Sequence, residues 1–135
     1  MLLDVAEVEL RRGRHARARA LLREALPTRT DPLDQVRALT MLVRAAGGMG
    51  DRAAVQEAWH QASGVIDAAF GHGSEGARLL LGLARAGAEV LEDTQADVAA
   101  SRALLWATRA ENAALVEECT TFLARTRLPP GGEGG

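Results

Sequence analysis

The sequence predicts an all-helical fold, and three features carry that expectation. Aromatic residues make up only 3% of the 135 positions and tyrosine is absent, which removes the usual material of a β-sandwich or barrel. Alanine and leucine, both strong helix formers, recur throughout. Their spacing follows steps of three and four, the period of a helix with one buried face, and marks out about seven segments. Hydrophobic residues at 47% and charged residues at 25% fit a folded chain in water, and the length suits one domain with a modest core.

Between Leu2 and Leu26 the residues Val5, Ala6, Leu10, Ala18, Leu21, Leu22 and Ala25 keep the helical step but break around Gly13, giving two short helices. Pro27, with Thr28, Arg29 and Thr30, ends the second. Asp31 followed by Pro32 supplies an N-cap and a first-turn proline, opening a third helix that runs to about Ala46. Gly47, Gly48, Met49 and Gly50 break it. Asp51 caps a fourth helix, in which Val55, Ala58, Trp59, Ala62, Val65, Ile66, Ala69 and Phe70 form one apolar face. After the loop from Gly71 to Gly76, with Ser74 as cap, a fifth helix carries Leu79, Leu80, Leu83, Ala84 and Val90. Gly82 and Gly87 inside it predict close approach of a neighbouring backbone, because a helical glycine otherwise costs about 1 kcal/mol against alanine. A sixth helix runs from about Asp93 to Arg109 and a seventh from about Glu111 to Arg125. The tail from Leu128 to Gly135 carries nothing that could bury a core and is expected to be disordered.

The helix pairs share one register. Leu2, Val5, Ala6, Gly13, Ala18, Leu22 and Ala25 have the internal spacings of Leu39, Leu42, Val43, Gly50, Val55, Trp59 and Ala62. Leu80, Leu83, Ala84, Leu91, Ala96, Ala100 and Ala103 repeat them again. Ala18 and Val55 are 37 residues apart and Val55 and Ala96 are 41 apart, the extra residues falling in the loops, where insertions are tolerated. Leu115, Cys119 and Phe122 in the seventh helix continue the pattern.

This register resembles the tetratricopeptide repeat, whose first helix has large-xx-large-small spacing, followed by a turn glycine and a second helix with small-xxx-large-xx-small spacing. Val43 and Val55 stand where a small residue is usual, Leu91 where the turn glycine is usual, and Glu9 where an aromatic is usual. The resemblance covers residues 1 to about 125. It implies a right-handed α-α superhelix over 1–127, a TPR-like solenoid with repeats at about 1–30, 31–71 and 72–110 and a capping helix at 111–126. In such a fold small residues let paired helices approach and large ones fill the space between pairs, so each pair is stable only when stacked.

Charge and chemistry-bearing residues narrow the function. The net charge is −2 and every basic residue is arginine, so no global field draws nucleic acid to the chain. Arg11, Arg12, Arg14, Arg17, Arg19 and Arg23 make the first repeat basic, but they lack interleaved aromatics and lie beside Glu7, Glu9 and Glu24, as in a solvated face. The glycines of Gly71–Gly76 match a dinucleotide-binding turn, yet the preceding residues have helical rather than strand periodicity. His72 and Ser74 have no aspartate partnership in view, and Ser74 lacks the glycine pattern of a nucleophile elbow, so no enzyme activity is expected. His15, His60 and His72 lie on separate segments without zinc-ligand spacing, and neither metal nor cofactor is expected. Cys119, the single cysteine, follows Glu117 and Glu118, which raise a thiol pKa, and its register is that of a packing residue. With no internal disulfide and no signal-like opening segment, the expected compartment is the cytoplasm. No apolar stretch approaches the roughly 20 residues of a membrane span, so no membrane insertion is expected.

Arg37 and Arg44 are seven residues apart, as are Arg78 and Arg85, and the two pairs are offset by 41, which makes them equivalent in the repeat. A seven-residue step returns to the same helix face. Because the first helix of a tetratricopeptide repeat lines a concave groove, the resemblance implies that both pairs face one channel. Arginine forks bind carboxylates bidentately, so the expected partner is a protein or peptide with an acidic or C-terminal carboxylate segment. The asparagine of the family's carboxylate clamp is absent. The expected function is that of a non-enzymatic protein–protein interaction scaffold. An alternative makes the chain a sensor or regulatory piece of a larger signalling protein or transcriptional regulator, since the first helix starts at Met1 without a capping repeat. Leu2, Leu3 and Leu10 at one end, and Leu115, Phe122 and Leu123 at the other, are expected to promote self-association into a homo-oligomer.

Overall fold

Turn chemistry sets the element boundaries. The computed structural model describes residues 2–90 and 92–127, so the expectations for Leu91 and for the tail from Leu128 lie outside the described residues. Seven α-helices are described: α1 (Leu2–Arg11), α2 (His15–Ala25), α3 (Pro32–Gly48), α4 (Arg52–Phe70), α5 (Ser74–Glu89), α6 (Asp93–Arg109) and α7 (Ala113–Arg127). A single 3-10 turn at Leu26–Thr28 holds Pro27, and no strand occurs among the described residues. The fold is all-α. No helix among the described residues is long and apolar enough to cross a membrane.

The corners within the helix pairs repeat one hydrogen-bond pattern. The backbone N–H of Arg14 donates to the Glu9 carbonyl at 2.9 Å, that of Asp51 to Ala46 at 3.0 Å, and that of Glu92 to Gly87 at 2.8 Å. These acceptors are spaced 37 and 41 residues apart, as are Ala18, Val55 and Ala96. Gly13 (φ 75°) and Gly50 (φ 73°) supply the left-handed backbone that two of these corners need. A fourth bond of the same form, from Asn112 N–H to the Ala107 carbonyl at 3.0 Å, joins α6 to α7, with Glu111 taking the left-handed position (φ 57°).

Caps follow the sequence in part. Asp31 accepts from the Leu33 N–H at 3.0 Å and Asp51 from the Ala54 N–H at 3.1 Å. Ser74, expected as a cap, is instead the first residue of α5, with extended Gly73 before it, and its hydroxyl meets the Asn112 amide at 3.2 Å. Helix α3 continues two residues past Ala46 through Gly47 and Gly48. Gly48 leaves room for His15 of α2: a Cβ on it would clash with the face of the imidazole ring.

The chain divides into two compact units between Phe70 and Gly71. In the first unit α2 packs on α1 and α3, α4 packs on α3, and α1 also touches α3. Leu3, Ala6 and Leu10 of α1 share a core with Ala18, Leu22 and Ala25 of α2 and with Ala38, Met41 and Ala45 of α3. Val55, Trp59, Ala62 and Ile66 bury the inner face of α4. Glu9 is also buried, at 5% exposure. Arg14 reaches its carboxylate at 3.3 Å and Arg17 at 3.1 Å, so the buried charge is met by cations from the corner and the first turn of α2.

In the second unit α6 packs on α5 and α7, and α5 touches α7. Its core is built from Leu80, Leu83 and Ala84, Ala96, Ala100, Ala103 and Trp106, then Leu115, Cys119 and Leu123. Gly76 is close-packed and Gly82, expected to be, is not; Gly87 is buried. A Cβ on Gly76 would lie 2.7 Å from the Gly71 carbonyl oxygen and 3.0 Å from the Trp106 ring, whereas one on Gly82 would meet nothing within 4 Å. Several residues expected at apolar ends are interior: Leu3, Leu10, Leu115 and Leu123 are all buried. Exposed aliphatic side chains include Val5 and Val8 on α1, Leu33 on α3, and Val98 and Leu105 on α6.

Candidate functional site

The four arginines singled out by register sit on α3 and α5, one pair in each unit. On α3, Arg37 is exposed and lies 3.8 Å from the Asp34 carboxylate one turn earlier. Arg44, half-buried on the same face, is also engaged. A concavity of about 590 Å³ between the 3-10 turn, α3 and α4 is lined by neither of them. Its lining is mostly apolar, with Leu26, Pro27, Leu39 and Val65, and carries the amides of Gln35 and Gln61.

On α5, Arg78 and Arg85 are both exposed. Arg85 borders a groove of about 480 Å³ along α5 and α7. The α7 side of this groove presents Glu117, Glu118, Thr121, Phe122 and Arg125. Arg85 donates from one guanidinium nitrogen to one Glu118 oxygen at 3.4 Å, and both side chains are more than half exposed, at 56% and 54%. Phe122, half-buried, gives the groove an apolar patch, and Arg125 gives it a second cation. Beneath this wall Cys119 is buried. Burial pushes its thiol above the ordinary value, the Glu118 carboxylate adds to that, and the Arg85 guanidinium opposes it.

Of the four predicted arginines, then, Arg85 alone lines a described cavity, and it is already paired. The α7 side chains were not among the predicted site residues. A signal for them existed in the sequence, because Leu115, Cys119 and Phe122 of α7 continue the repeat register. The groove can recognise charge and a small apolar group together, since a guanidinium fork and a phenyl ring face the same space.

His72 stacks on Trp106 with ring centroids 4.7 Å apart, and the Arg102 guanidinium lies 5.0 Å from the same ring system. Residues 52–70 ahead of the glycine loop form helix α4, so the loop lacks the strand that a dinucleotide turn requires. Among the described residues no three His, Cys, Asp or Glu side chains gather in a way that could hold a metal ion. No family model, curated protein or solved structure matches this chain.

Proposed function

We propose that the chain is a non-enzymatic protein-interaction module of the tetratricopeptide kind, with helix pairs stacked in a right-handed superhelix. Its α5–α7 groove takes an acidic or carboxylate-terminated segment of a partner protein. The observation that carries this reading is the juxtaposition of Arg85, Arg125 and Phe122 along one groove, which offers a carboxylate two cations and its neighbouring side chain an apolar surface. The matched corner bonds at Glu9, Ala46 and Gly87 support the repeat architecture behind it.

The test is a calorimetric titration of an acidic peptide against two double variants. Arg78→Ala with Arg85→Ala weakens binding, while Arg12→Ala with Arg23→Ala, exposed on the first unit, changes it little. An affinity in the micromolar range that falls with added salt is expected, since each exposed pair contributes only modestly. Equal losses in both variants would mean a diffuse charge effect and no dedicated groove.

A further inference from the structure

We propose that Glu118 is a built-in competitor for Arg85: it occupies the place of a partner's carboxylate in the α5–α7 groove and thereby sets how tightly that groove binds. The inference rests on the carboxylate-binding reading of the groove and adds to it the residue that tunes affinity. Its basis is the form of the Arg85–Glu118 contact. One guanidinium nitrogen meets one carboxylate oxygen at 3.4 Å, so the pair does not use the two-pronged geometry that makes arginine–carboxylate recognition strong. Both partners are more than half exposed, and ion pairs of that kind contribute little to stability, so this one yields readily to a carboxylate that can engage the whole fork.

The surroundings favour the exchange. Arg125 and Phe122 line the same groove, so an incoming terminal carboxylate gains a second cation and its last side chain gains apolar contact, neither of which Glu118 requires. With Arg85 and Arg125 set against Glu117 and Glu118, the formal charge of the lining is zero. Neutralising Glu118 leaves it positive. It also removes the repulsion between Glu118 and an anion arriving at the same guanidinium, which at contact distance in water corresponds to about a fivefold change in affinity. Glu117 supplies the internal control: it lines the groove with the same charge but is not the carboxylate held by Arg85.

The experiment titrates acetyl-Gly-Asp-Leu, with a free C-terminal carboxylate or as its C-terminal amide, into the full chain and into Glu118→Gln, Glu117→Gln and Arg85→Gln. Helix content and thermal midpoint are compared first, to establish that each variant folds. Glu118→Gln is expected to bind the free-carboxylate peptide about fivefold more tightly, Glu117→Gln less than twofold more tightly, and Arg85→Gln to lose the preference for the carboxylate over the amide. An unchanged affinity in Glu118→Gln overturns the competitor role while leaving the groove reading intact. Equal gains in Glu117→Gln and Glu118→Gln overturn it in favour of net charge. No binding by either the parent chain or Glu118→Gln removes the groove reading and this inference with it.

Discussion

Replacing Glu9 by glutamine and by leucine separates the value of its charge from the cost of burying it. The Glu9 side chain is 7% exposed, whereas its partners Arg14 and Arg17 are 55% and 67% exposed. Removing the charge therefore leaves two arginines in water rather than a stranded ion in the interior. The loss for Glu9→Gln should be about 1–2 kcal/mol, above a fully exposed pair and below the 3–5 kcal/mol typical of an abandoned buried charge. Glu9→Leu sacrifices the same contacts but no longer desolvates a carboxylate, and it restores an apolar side chain beside Leu10 and Ala6. Its stability should fall within about 1 kcal/mol of the parent. Urea unfolding followed by far-ultraviolet circular dichroism reads both, with an unchanged denaturant slope showing that the same surface unfolds. A loss of more than about 3 kcal/mol in Glu9→Leu would refute the reasoning, because the carboxylate would then be indispensable to the α1–α2 corner. So would a Glu9→Gln variant indistinguishable from the parent.

Gly76→Ala should destabilise by about 1–3 kcal/mol, since its Cβ meets a backbone oxygen that has little freedom to retreat; Gly82→Ala, opening on free space within the same helix, should stabilise by about 0.5–1 kcal/mol in the same urea assay. Trp59→Ala should cost about 3–5 kcal/mol by emptying a buried place on α4, and a loss under about 1 kcal/mol would mean that the ring is not packed. For Cys119 the sign follows from the raised thiol pKa: the unfolded thiol ionises first, so its contribution is full below the ordinary thiol range near about pH 8.5 and declines as the pH rises through the folded value. With no lysine or tyrosine in the chain to titrate nearby, comparing urea midpoints of the parent and Cys119→Ala at neutral and alkaline pH isolates that slope.

What could be read from the sequence was what depends on period. Ala18, Val55 and Ala96 share one register because each lies on the inward face of the second helix of a pair, and all three are buried. What could not be read depends on partners distant along the chain. Glu9 looked like a lapse in the pattern because a carboxylate at a core position is tolerable only if cations reach it, and that depends on how the corner after Gly13 directs Arg14 and Arg17. Gly48 looked like a helix stop, but its role is set by an imidazole 33 positions earlier. Arg85 was legible as an exposed cation on a recurring face. That Glu118 already holds it was not, since only the folded second unit brings α7 alongside α5.

Two of the four corner residues at equivalent positions cap their helices with a side chain, and each of those two also grips a helix before the one it follows. Asp51 takes the Ala54 N–H on one oxygen and Arg19 of α2 on the other, at 3.0 Å; Asn112 takes the Leu115 N–H and donates to Ser74 at the start of α5. Arg14 and Glu92, at the other two corners, make no such cap. Fraying at the start of α4 or α7 thus loosens a tie to a third helix as well as a cap. Amide protons in those first turns should exchange in step with the helices they are tied to, which merges neighbouring hairpins into a larger opening unit within each half of the chain.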